Sequence, residues 1–215
     1  MAAPRRQLVT RSARWAVALA RWLGSIGARP NTVSIAGVAF ALVAGLAFFL
    51  VPDAARTNRA ILLLVAAACI QLRLLCNLLD GMLAVEGGLK TKTGELYNEI
   101  PDRLADVLIL VGAGYSARFL AYGVELGWAA AVVAVGTAYV RLLGGSLGVT
   151  QHFIGPMAKQ HRMFIITVVT LLAVAETALD MPARAIRVGL VVIVAGSIVT
   201  AIRRTGRIID EMEAR

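Results

Sequence analysis

Six apolar segments, each close to the length needed to cross a lipid bilayer, limit what this 215-residue chain can fold into. A spanning helix needs about 20 mostly apolar residues. The chain is 59% hydrophobic and 16% charged, whereas soluble domains contain about a quarter charged residues. The predicted spans are residues 31–51, 60–84, 100–121, 126–148, 162–179 and 185–202. The sequence therefore predicts an all-α integral membrane protein.

The segment before the first span has a different pattern. Residues 8–27 combine apolar residues at helical spacing with several arginines, and they include Trp15 and Trp22. This pattern is typical of an amphipathic helix that lies in the headgroup layer, with the tryptophans as interfacial anchors. A disordered basic tail is the alternative, but the helical spacing of the apolar residues argues against it.

Short connections between the spans indicate one domain over residues 1–215. We divide it into an amphipathic segment (1–30), a six-helix bundle (31–204) and a tail (205–215).

Lys and Arg residues are distributed unevenly between the two ends of the predicted bundle. Most of the 22 lie before the first span, in the 85–99 loop with Lys90 and Lys92, in the 149–162 loop, or in the tail. The positive-inside rule then places both termini and the 85–99 loop in the cytoplasm, for a protein of the cell inner or plasma membrane. The net charge of +9 fits contact with anionic lipid headgroups, so membrane lipids are expected partners and nucleic acid is not.

Polar residues form a stripe on each of two neighbouring spans. At 100° per residue, the second span aligns Arg73, Asn77, Asp80 and Ala84, and the third aligns Asn98, Asp102 and Asp106. Two antiparallel helices with such faces can converge on one ion, and hard cations such as Mg²⁺ prefer carboxylate and amide oxygens. The alternative is that these residues are only interfacial, with Asp106 paired to Arg103. Because ionisable groups inside a membrane are costly and usually functional, we favour a site.

The spacing of these residues resembles the motif of the CDP-alcohol phosphotransferase family. That motif is Asp, two residues, Asp-Gly, two residues, Ala-Arg, eight residues, Gly, three residues, Asp, three residues, Asp. Every spacing is kept, and the chain reads Asn77, Asp80-Gly81, Ala84-Val85, Gly94, Asn98 and Asp102. Five of the eight positions match, and the three departures are Asn77, Val85 and Asn98. The family's architecture, with an amphipathic helix before six spans, also resembles the predicted one over nearly the whole chain.

The resemblance implies a role for each matching position. Family members move a phosphoalcohol group from a CDP-linked donor to an alcohol acceptor and release CMP, with two divalent ions held against the donor pyrophosphate. The last motif position, Asp102, would be the base that deprotonates the acceptor, and it would also bind metal. The remaining metal ligands would be Asp80, Asn77 and Asn98, and the CDP-alcohol would be accommodated by Gly81, Ala84 and Gly94.

The departures change the charge of the predicted site. Asparagine keeps an oxygen for the metal but loses the negative charge, so ion affinity should fall, particularly for a second ion. Glu95, one turn before Asn98, is the best-placed compensating carboxylate, and Asp106 is another. Val85 replaces a cation of the motif, and the candidates to supply its phosphate contact instead are Lys90, Lys92, Arg103 and Arg141.

Three further basic residues are candidate phosphate or acceptor contacts. Lys159 and Arg162 lie in the loop that enters the fifth span, where positive-inside anchoring is an equal alternative. Arg141 lies inside the fourth span, where an unpaired guanidinium would be costly. We expect Arg141 to pair with Asp106 or to face the substrate.

Two function hypotheses of different classes follow. The first is a membrane enzyme that uses Mg²⁺ or Mn²⁺ to transfer a phosphatidyl group from CDP-diacylglycerol or a similar CDP-alcohol to an alcohol acceptor in phospholipid biosynthesis. The resemblance further implies a homodimer, while the motif leaves the acceptor undefined. The second is a catalytically silent relative that binds lipid or a partner protein. A small transporter fits less well, because the polar residues cluster at one face instead of lining a path through the midplane.

Overall fold

The computed structural model describes residues 13–85, 87–89, 93–181 and 184–215, and the described residues form seven α-helices without a strand. The helices are α1 (Arg14–Ser25), α2 (Pro30–Leu50), α3 (Arg56–Val85), α4 (Gly94–Ser116), α5 (Gly123–Ser146), α6 (Lys159–Ala178) and α7 (Arg184–Glu213). A short 3-10 turn, Val51–Asp53, joins α2 to α3. The all-helical class predicted from the sequence is confirmed.

Five of these helices are long and apolar enough to cross a membrane: α2 with the turn that follows it, α3, α5, α6 and α7. The third predicted span corresponds to α4, which does not meet this criterion because charged residues such as Asp102, Arg103 and Asp106 interrupt its apolar sequence. The number of six spans therefore stays a prediction. The last helix is longer than the predicted span 185–202, since α7 continues to Glu213 through most of the predicted tail.

The six long helices contact one another in a closed ring, in the order α2, α4, α5, α7, α6, α3 and back to α2. Apolar residues of all six helices form one core inside this ring. The ring brings α3 and α4 to opposite sides of α2, so that the end of α3 and the beginning of α4 meet beside the beginning of α2.

The amphipathic helix α1 packs across the end of α3. Its small residues Ala16 and Ala20 are buried against Leu79 and Leu83, while its tryptophans point away from the bundle. Trp15 and Trp22 are 54% and 57% exposed, as expected for side chains that face a headgroup layer. The predicted helix is present from residue 14, and residues 8–12 lie outside the described part of the chain.

Glycines allow the backbone of α4 to pack directly against the backbones of α2 and α5. A Cβ atom at Gly112 would lie 2.6 Å from the carbonyl oxygen of Gly45 on α2. On the other side, a Cβ atom at Gly114 would lie 2.7 Å from the Cα atom of Gly127 on α5. Small residues permit this close approach between membrane helices, and they hold the polar helix α4 tightly between α2 and α5.

A buried cluster of charged and polar side chains joins four helices at the level of the candidate site. Asp106 of α4 is fully buried, and its Oδ2 accepts a hydrogen bond of 2.7 Å from Nη2 of Arg162 on α6. Its Oδ1 lies 3.5 Å from Nη2 of Arg73 on α3. Arg162 also donates through Nη1 to Oγ1 of Thr137 on α5, at 3.3 Å, and to the carbonyl of Met157, at 3.0 Å. The cluster therefore fixes the positions of α3, α4, α5 and α6 relative to one another.

Substituting a glycine at the contact between α2 and α4 should destabilise the fold. Gly112→Ala places a methyl group against the backbone of Gly45 and is expected to lower the free energy of unfolding by about 1–3 kcal/mol. Equilibrium unfolding in detergent measures this change. Gly136→Ala is the matched control, because a Cβ atom there meets nothing within 4 Å. It should be neutral or slightly stabilising, since alanine favours helix by up to about 1 kcal/mol over glycine. Equal effects of the two substitutions would contradict the packing argument.

Removing one partner of the buried ionic cluster should also be strongly destabilising. Asp106→Asn leaves the Arg162 guanidinium without its counter-charge. It is expected to lower the free energy of unfolding by about 3–5 kcal/mol in the same experiment. The double variant Asp106→Leu with Arg162→Met should lose clearly less unfolding free energy than the two single variants lose together. Asp53→Asn removes an exposed pair with Arg118 and should change stability by less than about 1 kcal/mol. Additive effects at Asp106 and Arg162 would show that the two are not coupled.

Candidate functional site

The polar stripes of α3 and α4 meet around a small cavity of about 10 Å³, roughly the space that one water molecule or ion occupies. The four side chains predicted as metal ligands all line this cavity. Its polar lining consists of Ser34, Arg73, Asn77, Asp80, Asn98 and Asp102. The structure thus brings the predicted ligands together, and their role as ligands stays a prediction.

Asp80 is the buried carboxylate on the α3 side of the cavity. Only 5% of the residue is exposed, and its Oδ2 accepts a hydrogen bond of 2.6 Å from the hydroxyl of Ser34 on α2. Among the described residues, its Oδ1 is buried and receives no hydrogen bond. A buried carboxylate oxygen without a partner is costly, so this atom is suited to a cation or a water molecule in the cavity.

Asp102 is the carboxylate on the α4 side, and positive groups surround it. Its Oδ1 accepts hydrogen bonds from Nη2 of Arg73 at 3.1 Å and from the amide nitrogen of Asn77 at 2.9 Å. Its Oδ2 forms an ion pair with the ammonium group of Lys159, the first residue of α6, and lies 3.8 Å from Nη2 of Arg103. Asp102 is thus held in the cavity wall by donors from α3, α4 and α6.

The two asparagines differ in their surroundings. Asn77 is half-buried, and its amide nitrogen donates a hydrogen bond to Asp102. Its side-chain carbonyl oxygen therefore remains available to a metal ion. Asn98 is exposed at the mouth of the cavity, one turn before Asp102 on α4. Both positions supply neutral oxygen donors.

A second set of ion pairs lies next to the cavity, around Glu99. This carboxylate accepts a hydrogen bond of 2.6 Å from Nη2 of Arg141 through Oε1, and its Oε2 forms an ion pair of 3.3 Å with Nη2 of Arg103. Arg141 also donates a hydrogen bond of 3.0 Å to Oε1 of Gln151. Its guanidinium carbon lies 5.3 Å from the centroid of the Phe153 ring. The guanidinium of Arg141 is therefore largely engaged at the edge of the bundle.

Two pairings considered as alternatives from the sequence are not formed. Asp106 pairs with Arg162 and Arg73, not with Arg141 or Arg103. Arg141 and Arg103 share Glu99 instead. The ring order of the helices explains this result, because it places α6 and α3 on the inner side of α4, where Asp106 points.

The remaining predicted residues lie around the cavity or away from it. Gly81, Ala84 and Gly94 are half-buried at the ends of α3 and α4, and Val85 is 43% exposed. Glu95 is exposed and does not line the cavity, while the carboxylate of Asp106 is already occupied by two arginines. Neither is therefore placed to compensate for the asparagines as the side chains stand. Glu86, Lys90 and Lys92 lie outside the described residues.

Sequence reasoning missed Ser34, and it did not identify the contacts that Arg73 and Lys159 make with Asp102. Ser34 hydrogen-bonds Asp80 across 46 residues, and a single serine in an apolar helix gave no signal. Arg73 was visible, because it occupies the same stripe as Asn77, one turn away. Lys159 was noted as a cation of the fifth span's entry loop, but nothing in the sequence indicates that it reaches Asp102.

The donors at the cavity fit a single hard cation. Two carboxylates and two amide oxygens are the ligand types that Mg²⁺ and Mn²⁺ prefer, and Oδ1 of Asp80 is free to bind one. The part of the chain that the structure describes contains no cluster of three or more His, Cys, Asp or Glu side chains able to hold a metal. The ligands proposed for such a cation are thus the carboxylates of Asp80 and Asp102 and the amide oxygens of Asn77 and Asn98.

Comparison with known proteins finds similarity at the level of structure. No family model matches the chain, and no curated protein is similar to it in sequence. The solved structures of Mycobacterium tuberculosis phosphatidylinositol phosphate synthase are similar. The form with CDP-DAG bound aligns with a TM-score of 0.74 and 21% identity, over 91% of this chain and 94% of that one. The complex with manganese and citrate aligns with a TM-score of 0.73 and 20% identity, over 90% of this chain and 88% of that one. The apo form aligns with a TM-score of 0.67 and 23% identity, over 88% of this chain and 94% of that one.

These alignments cover nearly the whole length of both proteins, so the likeness extends over the entire helical bundle. At 20–23% identity, what the chain shares with the synthase is its fold. The resemblance to the CDP-alcohol phosphotransferases that the motif spacing indicated is confirmed at that level.

Proposed function

We propose that the chain is a membrane enzyme that transfers a phosphoalcohol group from a CDP-alcohol to an alcohol acceptor and releases CMP. The observation that carries this proposal is the convergence of Asn77, Asp80, Asn98 and Asp102 on one cavity, at the spacing of the family motif. The shared fold with a synthase that has been solved with CDP-DAG and with manganese supports the same conclusion. CDP-diacylglycerol is therefore the proposed donor, and phospholipid biosynthesis the proposed setting.

In this proposal, the acceptor oxygen attacks the phosphorus on the alcohol side of the pyrophosphate. A bond forms between the acceptor oxygen and that phosphorus, the bond from the phosphorus to the CMP oxygen breaks, and the hydroxyl proton passes to the carboxylate of Asp102. Asp80, Asp102, Asn77 and Asn98 would hold the Mg²⁺ or Mn²⁺ ion, which neutralises charge on the phosphate oxygens when it is bound. Gly81, Ala84 and Gly94 leave room beside the cavity for the CDP group.

The basic residues near the cavity divide into two groups. Lys159 contacts Asp102 and Arg141 contacts the neighbouring Glu99, with side chains that are 18% and 12% exposed, and both are the proposed contacts for the donor or acceptor phosphate. Arg162 was proposed with them from the sequence, but its guanidinium is buried against Asp106 and Thr137. We assign Arg162 to the positioning of α4 and α6.

A catalytically silent lipid- or protein-binding relative is the second candidate, and one observation favours it. Both oxygens of Asp102 are engaged by donors of the chain itself, so the proposed base must exchange partners before it can take a proton. Measuring CMP release separates the two candidates.

Purified protein with Mg²⁺ or Mn²⁺ should release CMP from CDP-diacylglycerol when a suitable alcohol is present. Asp102→Asn keeps the shape of the side chain but removes the base, and it is expected to lower kcat by about 10²–10⁴-fold. Asp53→Asn, at the opposite end of the bundle, should have the activity of the unmodified protein. Full activity of Asp102→Asn would refute the assigned base, and absence of CMP release with every acceptor tried would favour the silent relative.

The proposal also includes six spans, a homodimer and a cytoplasmic location for both termini and the site. In a background without Cys69 and Cys76, Glu213→Cys should react with a membrane-impermeant maleimide in inside-out vesicles but not in intact cells. Asp53→Cys, at the other end of the bundle, should show the reverse. Labelling of both positions from the same side would rule out this arrangement of spans.

A further inference from the structure

We propose that the ammonium group of Lys159 competes with a divalent ion for the carboxylate of Asp102 and thereby limits the chain to one such ion. The inference deepens the proposed function and rests on it only in treating the cavity as a divalent-ion site. It concerns metal binding by the free protein, which can be measured without substrate.

The position of Lys159 is unusual for its charge. It is the first residue of α6, and a positive side chain at a helix N-terminus is unfavourable because the helix dipole places partial positive charge there. Its side chain is only 18% exposed, and its ammonium group contacts Oδ2 of Asp102. The ion pair with Asp102 therefore offsets an arrangement that the helix alone would disfavour.

The two oxygens of Asp102 leave one direction of access for a metal ion. Oδ1 already accepts hydrogen bonds from Arg73 and Asn77. Oδ2 faces the ammonium group of Lys159, with Arg103 farther away at 3.8 Å. An ion that binds Asp102 through Oδ2 must therefore displace Lys159, and the two cations compete for the same oxygen.

The buried carboxylates at the cavity already have cations of the chain near them. Three buried carboxylates, Asp80, Asp102 and Asp106, face three cations, Arg73, Lys159 and Arg162. Asn77 and Asn98 contribute no charge. One divalent ion can be held at Asp80, whose Oδ1 has no partner among the described residues. A second ion would need the oxygens of Asp102, and both of these are engaged by donors of the chain itself.

Mn²⁺ titration of the purified protein, with free Mn²⁺ followed by electron paramagnetic resonance, tests the proposal. The unmodified chain should bind one ion. Lys159→Met should bind Mn²⁺ at least about tenfold more tightly, because one positive charge next to the ligand is removed. Lys159→Arg keeps that charge and should stay close to the unmodified affinity. Arg207→Met, which removes an exposed cation of α7, is the control for net charge.

A further variant locates the ion. Adding Asp80→Asn to Lys159→Met should abolish the tight binding. Thermal unfolding of each variant shows whether it is folded, and Lys159→Gln replaces Lys159→Met if the latter unfolds.

Each other outcome overturns the proposal. Lys159→Met with unchanged or weaker Mn²⁺ affinity would show that Lys159 does not compete. Two ions in the unmodified chain, no binding in any variant, or equal tightening by Arg207→Met would likewise refute it. The CMP-release experiment is independent of these results, so failure of the proposed activity and failure of the competition are distinguishable.

Discussion

The rest of the structure depends on the buried pairing of Arg73 with Asp102 and Asp106. Arg73 lies between these two carboxylates, and Arg162 completes the cluster from α6. Because removing one partner would leave an uncompensated buried charge, the cluster determines how α3, α4 and α6 meet. The same guanidinium orients Asp102 toward the cavity. One set of interactions therefore holds the bundle together and shapes its candidate site.

The site pairs its carboxylates largely with side chains of its own. Where a site built only from carboxylates needs metal ions to be stable, this one has arginine and lysine groups against its aspartates. Asparagine at positions 77 and 98 is consistent with that arrangement, since further negative charge there would need further cations. The asparagines at positions 77 and 98 thus keep the negative charge around Asp80 and Asp102 low.

Much of the fold follows from local sequence pattern, but its pairings do not. Apolar runs predicted the helices because each run reflects the length of one span, and motif spacing predicted which polar residues meet at the cavity. The partners of Asp106 were not identified, because Arg162 is 56 residues away and its approach depends on the ring order of the helices. The length of α7 was underestimated, because its last turns are polar and carry no apolar signal.

The close backbone contacts of α4 have a consequence for how the protein is made. α4 is not among the helices of the described residues that are long and apolar enough to cross a membrane, and its backbone touches α2 and α5 at Gly45 and Gly127. Its buried carboxylate Asp106 is paired by residues of other helices: Arg73 of α3, which is synthesised earlier, and Arg162 of α6, which is synthesised later. The buried cluster that holds α4 in the bundle can therefore be complete only after α6 has been synthesised.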